Sequence, residues 1–155
     1  MAAHNANWGT SRGDPNSTPS STQHAIDDYL RAGVAADRIV VGIPLYGRGF
    51  AGTTGPGQAY SGVGPGTWEP GLYDYRNLSD LGQTVHVDRE AVAAWSYNSS
   101  TNLMISFETP DIVQDKTRLI MAQGLGGVMW WESSSDKKGN GSLIPVVSVN
   151  GASIC

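Results

Sequence analysis

The sequence has one cysteine, no basic cluster and no long apolar run, and each of these shortages excludes a class of protein. Cys155, the last of 155 residues, has no partner for a disulfide within the chain. Ten Lys and Arg stand against 14 Asp and Glu, which argues against nucleic acid or an anionic membrane surface as a partner. No stretch approaches the roughly 18 to 20 apolar residues that span a membrane.

Metal and phosphate chemistry is not indicated either. His4, His24 and His86 are scattered, and none has a second ligand at helical or loop spacing, so no metal site is predicted. The Gly-Pro-Gly segments at residues 55–57 and 64–66 are turn sequences, because no helix opening with Lys and Ser or Thr follows them. We therefore expect a protein without a cofactor.

Export signals are weak. Residues 1–5, Met-Ala-Ala-His-Asn, lead into polar sequence without the apolar core of a signal peptide. Asn-x-Ser/Thr sequons suit surface loops of secreted proteins, although the motif often occurs by chance in a Ser-rich chain. The sequons begin at Asn16, Asn77, Asn98 and Asn140.

Two short apolar runs are the most informative segments. Residues 38–50 read Arg-Ile-Val-Val-Gly-Ile-Pro-Leu-Tyr-Gly-Arg-Gly-Phe, and residues 126–132 read Gly-Gly-Val-Met-Trp-Trp-Glu. Buried parallel strands have this composition, and in a barrel they deliver functional side chains to one end. Tyr, Arg and Trp at the ends of the runs point to a carbohydrate site.

A helix signal precedes each run. Ser21 or Thr22 caps a helix that reaches residue 30 and stops at Gly33, and a strand over residues 39–45 follows. This order, helix then strand, is half of a β/α repeat.

The second unit repeats the first. Thr109 caps a helix with Pro110 in its first turn, and the helix ends near residue 123 before a strand over residues 128–131. The predicted apolar face of this helix contains Ile112, Val113, Leu119, Ile120 and the stem of Lys116.

Residues 51–108 have a different character and are interpreted as an insertion. They are rich in glycine, and short alternating or aromatic segments predict strands at residues 85–87, 93–97 and 103–107. The polar residues 98–102 predict a hairpin turn between the last two strands.

Four motifs in this order resemble the C-terminal portion of the catalytic domain of a glycoside hydrolase family 18 chitinase of the fungal or bacterial type. The resemblance runs from residue 4 to about residue 144. The motifs are Pro-Leu-Tyr-Gly-Arg at 44–48, Ser-Gly-Val-Gly at 61–64 continuing to Trp-Glu-Pro-Gly at 68–71, Ile-Ser-Phe-Glu-Thr-Pro at 105–110, and Trp-Trp-Glu at 130–132.

This resemblance implies an α/β fold with an incomplete TIM (β/α)8 barrel. Residues 1–50 are expected to carry a loop, a helix and barrel strand seven, so that the chain begins just after strand six. Residues 51–108 form the α+β chitinase insertion domain, and residues 109–144 form a helix and strand eight. Residues 145–155 are a tail, and the chain from Ser142 onward is expected to be poorly anchored.

The resemblance also implies substrate-binding roles for four residues. Trp131 matches the tryptophan beneath the sugar at the cleavage position, where its face stacks on the ring. Arg48 donates hydrogen bonds to sugar hydroxyls, Tyr46 points the same way, and Glu69 matches an insertion-domain acid that lines the cleft. The alternatives are barrel packing for Trp131, a strand-end ion pair or hydrogen bond for Tyr46 and Arg48, and a solvated carboxylate for Glu69.

Three neighbouring residues are expected to have structural roles. Trp130 alternates to the strand face opposite Trp131, which favours packing. Trp68 is either a further stacking platform or part of the core of the insertion, and the core is the favoured expectation. Glu132 is expected to face away from Trp131, so that it does not form an acid/base pair with Asp136.

The implied activity is hydrolysis of β-1,4-linked N-acetylglucosamine polymers by substrate-assisted, retaining catalysis, in an extracellular parent enzyme that binds chitin or chito-oligosaccharide. The family's Asp-x-x-Asp-x-Asp-x-Glu motif, which ends in the general acid, and its Met-x-Tyr-Asp motif do not occur here. We therefore expect a chitinase fragment that has no catalytic residue and is inactive alone. The alternative is a non-catalytic, lectin-like chitin- or oligosaccharide-binding protein.

Overall fold

A computed structural model describes residues 1–81 and 84–147 and arranges the strands of this part of the chain in two sheets. One sheet is a parallel pair, and the other is antiparallel with five strands. In chain order the elements are α1 (Thr22–Arg31), β1 (Val40–Pro44), β2 (Tyr46–Ala51), β3 (Leu72–Asp74), β4 (Thr84–Asp88), β5 (Ala93–Asn98), β6 (Leu103–Phe107), α2 (Pro110–Ala122) and β7 (Gly127–Trp131).

Both helices begin at the predicted caps. The Ser21 side chain accepts a hydrogen bond from the His24 N–H at 3.2 Å, and the Thr109 side chain accepts one from the Ile112 N–H at 3.4 Å. Such caps satisfy free N–H groups of the first turn and stabilise a helix by about 1 kcal/mol. Neither helix is long and apolar enough to cross a membrane, and the same holds for every helix in the described residues.

The parallel pair is formed by β1 and β7, which confirms that the two predicted strands are parallel neighbours, in a register that places Val40 opposite Gly127. One face of the pair is covered, since Val41 and Ile43 are buried. The expectation of buried strands is correct for this face only. On the other face Val40 is 55% exposed and Met129 is 47% exposed.

The chain changes sheets at Leu45. The Leu45 N–H donates to the Trp131 carbonyl at 2.7 Å, and the Leu45 carbonyl accepts from the Tyr75 N–H at 3.0 Å. Residues 46–51 then form β2, which pairs with β3 and β6. The interpretation of Tyr46 and Arg48 as the end of a parallel strand is therefore wrong, because the chain leaves that strand after Pro44.

The antiparallel sheet has the order β3-β2-β6-β5-β4. Asn98 pairs with Leu103 across the predicted hairpin turn, and the strand predicted at residues 85–87 is β4, at the sheet edge. Ile105 and Met104 in the central strand β6 are fully buried, so both faces of this strand are covered.

A shared core joins the two sheets. Its largest cluster combines β1, β6, α2 and the segment after β7, and a second cluster lies between β1 and the two helices. The first contains Ile43, Leu45, Tyr73, Tyr75, Leu78, Ile105, Phe107, Val113, Leu143 and Val147, and the second contains Trp8, Ile26, Val41, Ile120 and Leu125.

The expectation of a poorly anchored segment from Ser142 onward is wrong for residues 142–147. Leu143 is fully buried in the core, and its N–H donates to the Asp136 carboxylate at 3.0 Å. The same carboxylate accepts a hydrogen bond from the Ser142 hydroxyl, so one buried acid accepts two of the hydrogen-bond donors of this turn. Residues 148–155, including Cys155, lie outside the described residues.

Candidate functional site

An open cleft of about 420 Å³ lies where β7 ends and β2 begins. Its size falls within the range of about 300 to 1,000 Å³ that is common for small-molecule sites. All four residues predicted to bind substrate lie on its wall. The lining residues are Tyr46, Arg48, Trp68, Glu69, Leu72, Asp74, Trp131, Glu132 and Ser135.

Tyr46 and Arg48 reach the cleft because β2 lies flat against the core. A side chain at Gly49 would come within 2.5 Å of the Tyr73 ring, and one at Gly47 within 2.6 Å of Ile105. Only glycine allows this close approach on the inner face. The alternate residues Tyr46 and Arg48 therefore extend from the opposite face of the strand, which agrees with the prediction that they point the same way.

Trp131 is the last residue of β7, and it is 64% exposed. Barrel packing within this chain is therefore not its role. Trp130, one residue earlier, points the other way and packs against the main core cluster, as predicted from strand alternation. Of the two adjacent tryptophans, Trp130 therefore packs in the core and Trp131 exposes its ring at the cleft.

Trp68 and Glu69 lie in a tight turn before β3. Gly66 has a φ of +72°, and a Cβ there would lie 1.9 Å from the Glu69 carbonyl oxygen, so the turn requires glycine. The expectation that Trp68 is core is wrong, because its side chain is 80% exposed and only its indole N–H is bound, to Asp74 at 3.1 Å.

Asp74 was not singled out from the sequence, although its carboxylate organises one wall of the cleft. It is 6% exposed, and besides Trp68 it accepts hydrogen bonds from Arg76 at 2.7 Å and from the Ser135 hydroxyl at 3.1 Å. Trp68 and Arg76 lie within six residues of Asp74, but Ser135 lies 61 residues away, and no sequence motif marks the acid that joins them.

Glu132 lines the same cleft as Trp131, so the expectation that it faces away is wrong. Strand β7 ends at Trp131, and the alternation of strand faces does not extend to the next residue. The Glu132 carboxylate accepts a hydrogen bond from the Ser134 hydroxyl at 2.6 Å. Asp136 is instead occupied by the turn at residues 142–144.

Glu108 is a buried carboxyl group outside the cleft. Burial raises the pKa of Glu108, which is enclosed beside the Lys116 ammonium group at 2.5 Å and does not line the cleft. Within residues 1–81 and 84–147 no group of three or more His, Cys, Asp or Glu is placed to hold a metal ion. The cleft combines exposed aromatic faces with hydrogen-bonding groups, an arrangement suited to a polyhydroxyl ligand.

Comparison with known proteins identifies relatives of this chain. Endochitinase 1 of Metarhizium robertsii is 46% identical over 143 residues, which cover 92% of this chain and 34% of the relative. Chitinase 1 of Aphanocladium album is 45% identical over 141 residues, which cover 91% of this chain and 33% of the relative. The chain therefore spans about a third of the length of these relatives.

Solved structures show the same relationship. The catalytic domain of the psychrophilic chitinase B from Arthrobacter TAD20 superimposes with a TM-score of 0.82 at 34% sequence identity, over 95% of this chain and 34% of that one. The sequence model of the glycosyl hydrolases family 18 matches residues 2–136. This match confirms the resemblance seen in the motifs, and the chain belongs to glycosyl hydrolase family 18.

Proposed function

We propose that this chain is part of a chitinase catalytic domain and that its cleft binds chito-oligosaccharide. In this proposal β1 and β7 are strands seven and eight of the (β/α)8 barrel, and the antiparallel sheet is the α+β insertion domain. The general acid belongs to a part of the domain that this chain does not contain. The parent enzyme hydrolyses β-1,4-linked N-acetylglucosamine polymers outside the cell.

The convergence of four side chains on one cleft is the observation that carries the proposal. Trp131 offers an exposed ring on which the C–H face of a sugar can stack, and Arg48 offers several N–H donors for hydroxyl groups. Glu69 and Tyr46 add hydrogen-bonding groups on the same wall. Aromatic faces with a few placed polar groups are typical of small-ligand sites.

The uncovered face of the β1–β7 pair supports a role within a larger domain. Parallel strands normally have both faces covered, and a barrel requires a full set of strands to close. Here the exposed Val40 and Met129 side chains form an apolar surface on one face of the pair. Further strands of a complete barrel would cover it, and the relatives are about three times as long as this chain.

Hydrolysis by this chain alone is not expected. A positioned proton donor contributes about 10²- to 10⁴-fold to the rate, and the family's acid motif is not in the sequence. Glu69 and Glu132 line the cleft, but the proposal gives neither of them the role of general acid.

The test is calorimetric binding of chitotriose to the purified chain, together with hydrolysis of a fluorogenic chitotrioside. We expect binding without turnover, and we expect Trp131→Ala to remove most of the binding. Tyr29→Ala is the control, because Tyr29 is 59% exposed on α1 and does not line the cleft. Absence of binding would refute the carbohydrate site. Turnover that Glu69→Gln or Glu132→Gln abolishes would place the acid in this chain.

A stand-alone oligosaccharide-binding protein is the second candidate, since the four side chains already converge within this chain. The two candidates differ when the remaining two-thirds of a fungal relative is added as a separate polypeptide. A chitinase fragment is expected to form a complex and gain turnover. A lectin-like protein would bind chitotriose unchanged and form no complex.

A further inference from the structure

We propose that Trp68 is a second stacking platform of the cleft and that Asp74 is the residue that positions it. The inference rests on the proposed carbohydrate binding and adds one ligand-binding residue and one positioning residue to it. The ligand class is an oligosaccharide that presents C–H-rich pyranose faces.

The Trp68 side chain combines high exposure with a fixed orientation. At 80% exposed it has the largest exposed fraction among the large hydrophobic residues of the described chain. A tryptophan in water keeps a large apolar surface hydrated, and covering that surface with a ligand is favourable. The indole N–H, its one polar group, already donates to Asp74 at 3.1 Å, so the ring faces remain free for a ligand.

The contacts of Asp74 hold the Trp68 ring in this orientation. Its side chain is only 8% exposed, and it accepts hydrogen bonds from the Trp68 indole, the Arg76 guanidinium and the Ser135 hydroxyl. The Asp74 backbone N–H donates to the Thr67 hydroxyl at 3.0 Å, one residue before the tryptophan. A buried carboxylate with several donors has little freedom, so the ring attached to it is fixed as well.

The same carboxylate links the Trp68 turn to the segment that follows Trp131. Ser135 lies four residues after Trp131, and Arg76, the ion-pair partner of Asp74, also donates to the Ser134 carbonyl at 2.7 Å. Asp74 therefore connects the two parts of the chain that carry the exposed tryptophans of the cleft. Fixing the Trp68 ring before the ligand arrives lowers the entropy lost on binding.

The first experiment is a double-mutant cycle in calorimetric chitotriose binding. Trp68→Ala is expected to weaken binding roughly 3- to 10-fold, the effect of one aromatic stacking contact, and Trp68→Phe to recover part of the loss. Asp74→Asn is expected to weaken binding in the wild-type background. In the Trp68→Ala background it is expected to have no further effect, because a positioning residue acts through the ring. Equal effects in both backgrounds would assign Asp74 a direct contact and refute the positioning role.

The second experiment observes the indole hydrogen bond without any ligand. The chain has five tryptophans, and the Trp68 N–H signal in a ¹H–¹⁵N spectrum is assigned by its loss in Trp68→Phe. Asp74→Asn is expected to shift this signal and speed its exchange, while the signals of buried Trp8 and half-buried Trp130 report that the fold persists. An unchanged Trp68 signal in Asp74→Asn would refute the positioning role.

The outcomes separate this inference from the proposed function. If Trp131→Ala removes binding and Trp68→Ala binds like the wild type, the second platform is refuted and the carbohydrate site stands. If the wild-type chain does not bind chitotriose, the proposed function fails and this inference fails with it. Loss of affinity in Trp68→Ala with retention in Tyr29→Ala supports the inference.

Discussion

The central strand of the antiparallel sheet and the parallel pair of strands have similar apolar sequences but different surroundings. In β6, the consecutive residues Met104 and Ile105 are both fully buried, so both faces of the strand are covered by the chain itself. In β7, burial alternates, and Met129 and Trp131 are exposed while Trp130 packs inward. Strand β7 is apolar, but this chain covers only one of its faces. The exposed face therefore indicates a contact surface for something other than this chain's own core.

The cleft lies where these two regions meet. β2 and the turn before β3 come from the antiparallel sheet and carry Arg48 and Trp68, while β7 carries Trp131. The antiparallel sheet thus supplies one wall of the cleft, and the half-covered parallel pair supplies the other. Changes that separate the two regions are therefore expected to damage both stability and binding.

Lys116→Met should have the largest effect, because it breaks a buried link between the regions. Glu108 directly follows β6, Lys116 lies on the helix that leads to β7, and the Lys116 ammonium group also donates to the Ala6 carbonyl. Removing the lysine leaves the Glu108 charge buried without a counter-ion. We expect the free energy of unfolding to fall by about 3 to 5 kcal/mol, measured by chemical denaturation.

Two further variants make this test specific. Lys138→Met, at an exposed lysine, is expected to change stability by less than about 0.5 kcal/mol. Combining Lys116→Met with Glu108→Leu is expected to recover much of the loss, since an apolar pair leaves no buried charge. A Lys116→Met chain as stable as the wild type would show that the ion pair does not hold the regions together.

Side-chain truncations in β6 and β7 compare how much each strand contributes to stability. Ile105→Ala opens a cavity in a strand with no exposed face and is expected to lower the free energy of unfolding by about 2 to 5 kcal/mol. Met129→Ala, on the uncovered face of β7, is expected to change it by less than about 0.5 kcal/mol. Thermal and chemical unfolding of the pair measure this difference. A large loss in Met129→Ala would mean that the exposed face is already covered in solution, for example by a second copy of the chain.

The sequence predicts the parts of the fold that depend on local chemistry. The caps at Ser21 and Thr109 and the turn at residues 98–102 act within a few residues, and each lies where the pattern indicated. The change of sheet at Leu45 was not predicted, because residues 38–50 form one continuous apolar run and the partners of Leu45 are distant in the chain. The anchoring of Leu143 was missed because its partners in the core cluster, Ile43 and Ile105 among them, are distant in the chain.

In the candidate site, too, some residues were predicted from the sequence, and those that depend on distant partners were not. Trp131, Arg48 and Glu69 were found through family motifs, and the structure brings them to one cleft, although their binding roles stay predictions. Asp74 was missed because its Ser135 partner lies 61 residues away, and the Trp68 indole N–H donates to that same carboxylate. Long-range polar contacts leave no periodic signal in a sequence.

Gly66→Ala tests the wall formed by the turn before β3 and should have an intermediate effect. A non-glycine residue at a φ of +72° costs roughly 1 to 2 kcal/mol, and the new Cβ would collide with the Glu69 carbonyl oxygen. We expect this loss of stability together with weaker chitotriose binding, measured on the same samples. Gly13→Ala is the matched control, because a Cβ there meets nothing within 4 Å. Normal binding in Gly66→Ala would show that the turn does not position the cleft residues.

The smallest expected effect is a pH dependence at the contact between the N-terminal segment and the antiparallel sheet. Burial lowers the pKa of His4 from its ordinary value of 6.5, while the nearby Asp88 and Asp14 carboxylates raise it and Lys116 lowers it. The folded state therefore favours the neutral imidazole more than the unfolded state does. Because the unfolded chain binds the proton more readily, this contribution to stability is lost as the pH falls below about 6.5.

Chemical denaturation at a series of pH values between 7.5 and 5 measures this loss. His4→Leu is expected to flatten the profile over that interval, because the titrating group is gone. Asp88→Asn is expected to steepen it, since the carboxylate 3.9 Å from the His4 Nε2 atom favours the charged imidazole and opposes the effect of burial. Parallel profiles for the wild type and His4→Leu would show that the contact between the N-terminal segment and the sheet does not depend on the charge of this histidine.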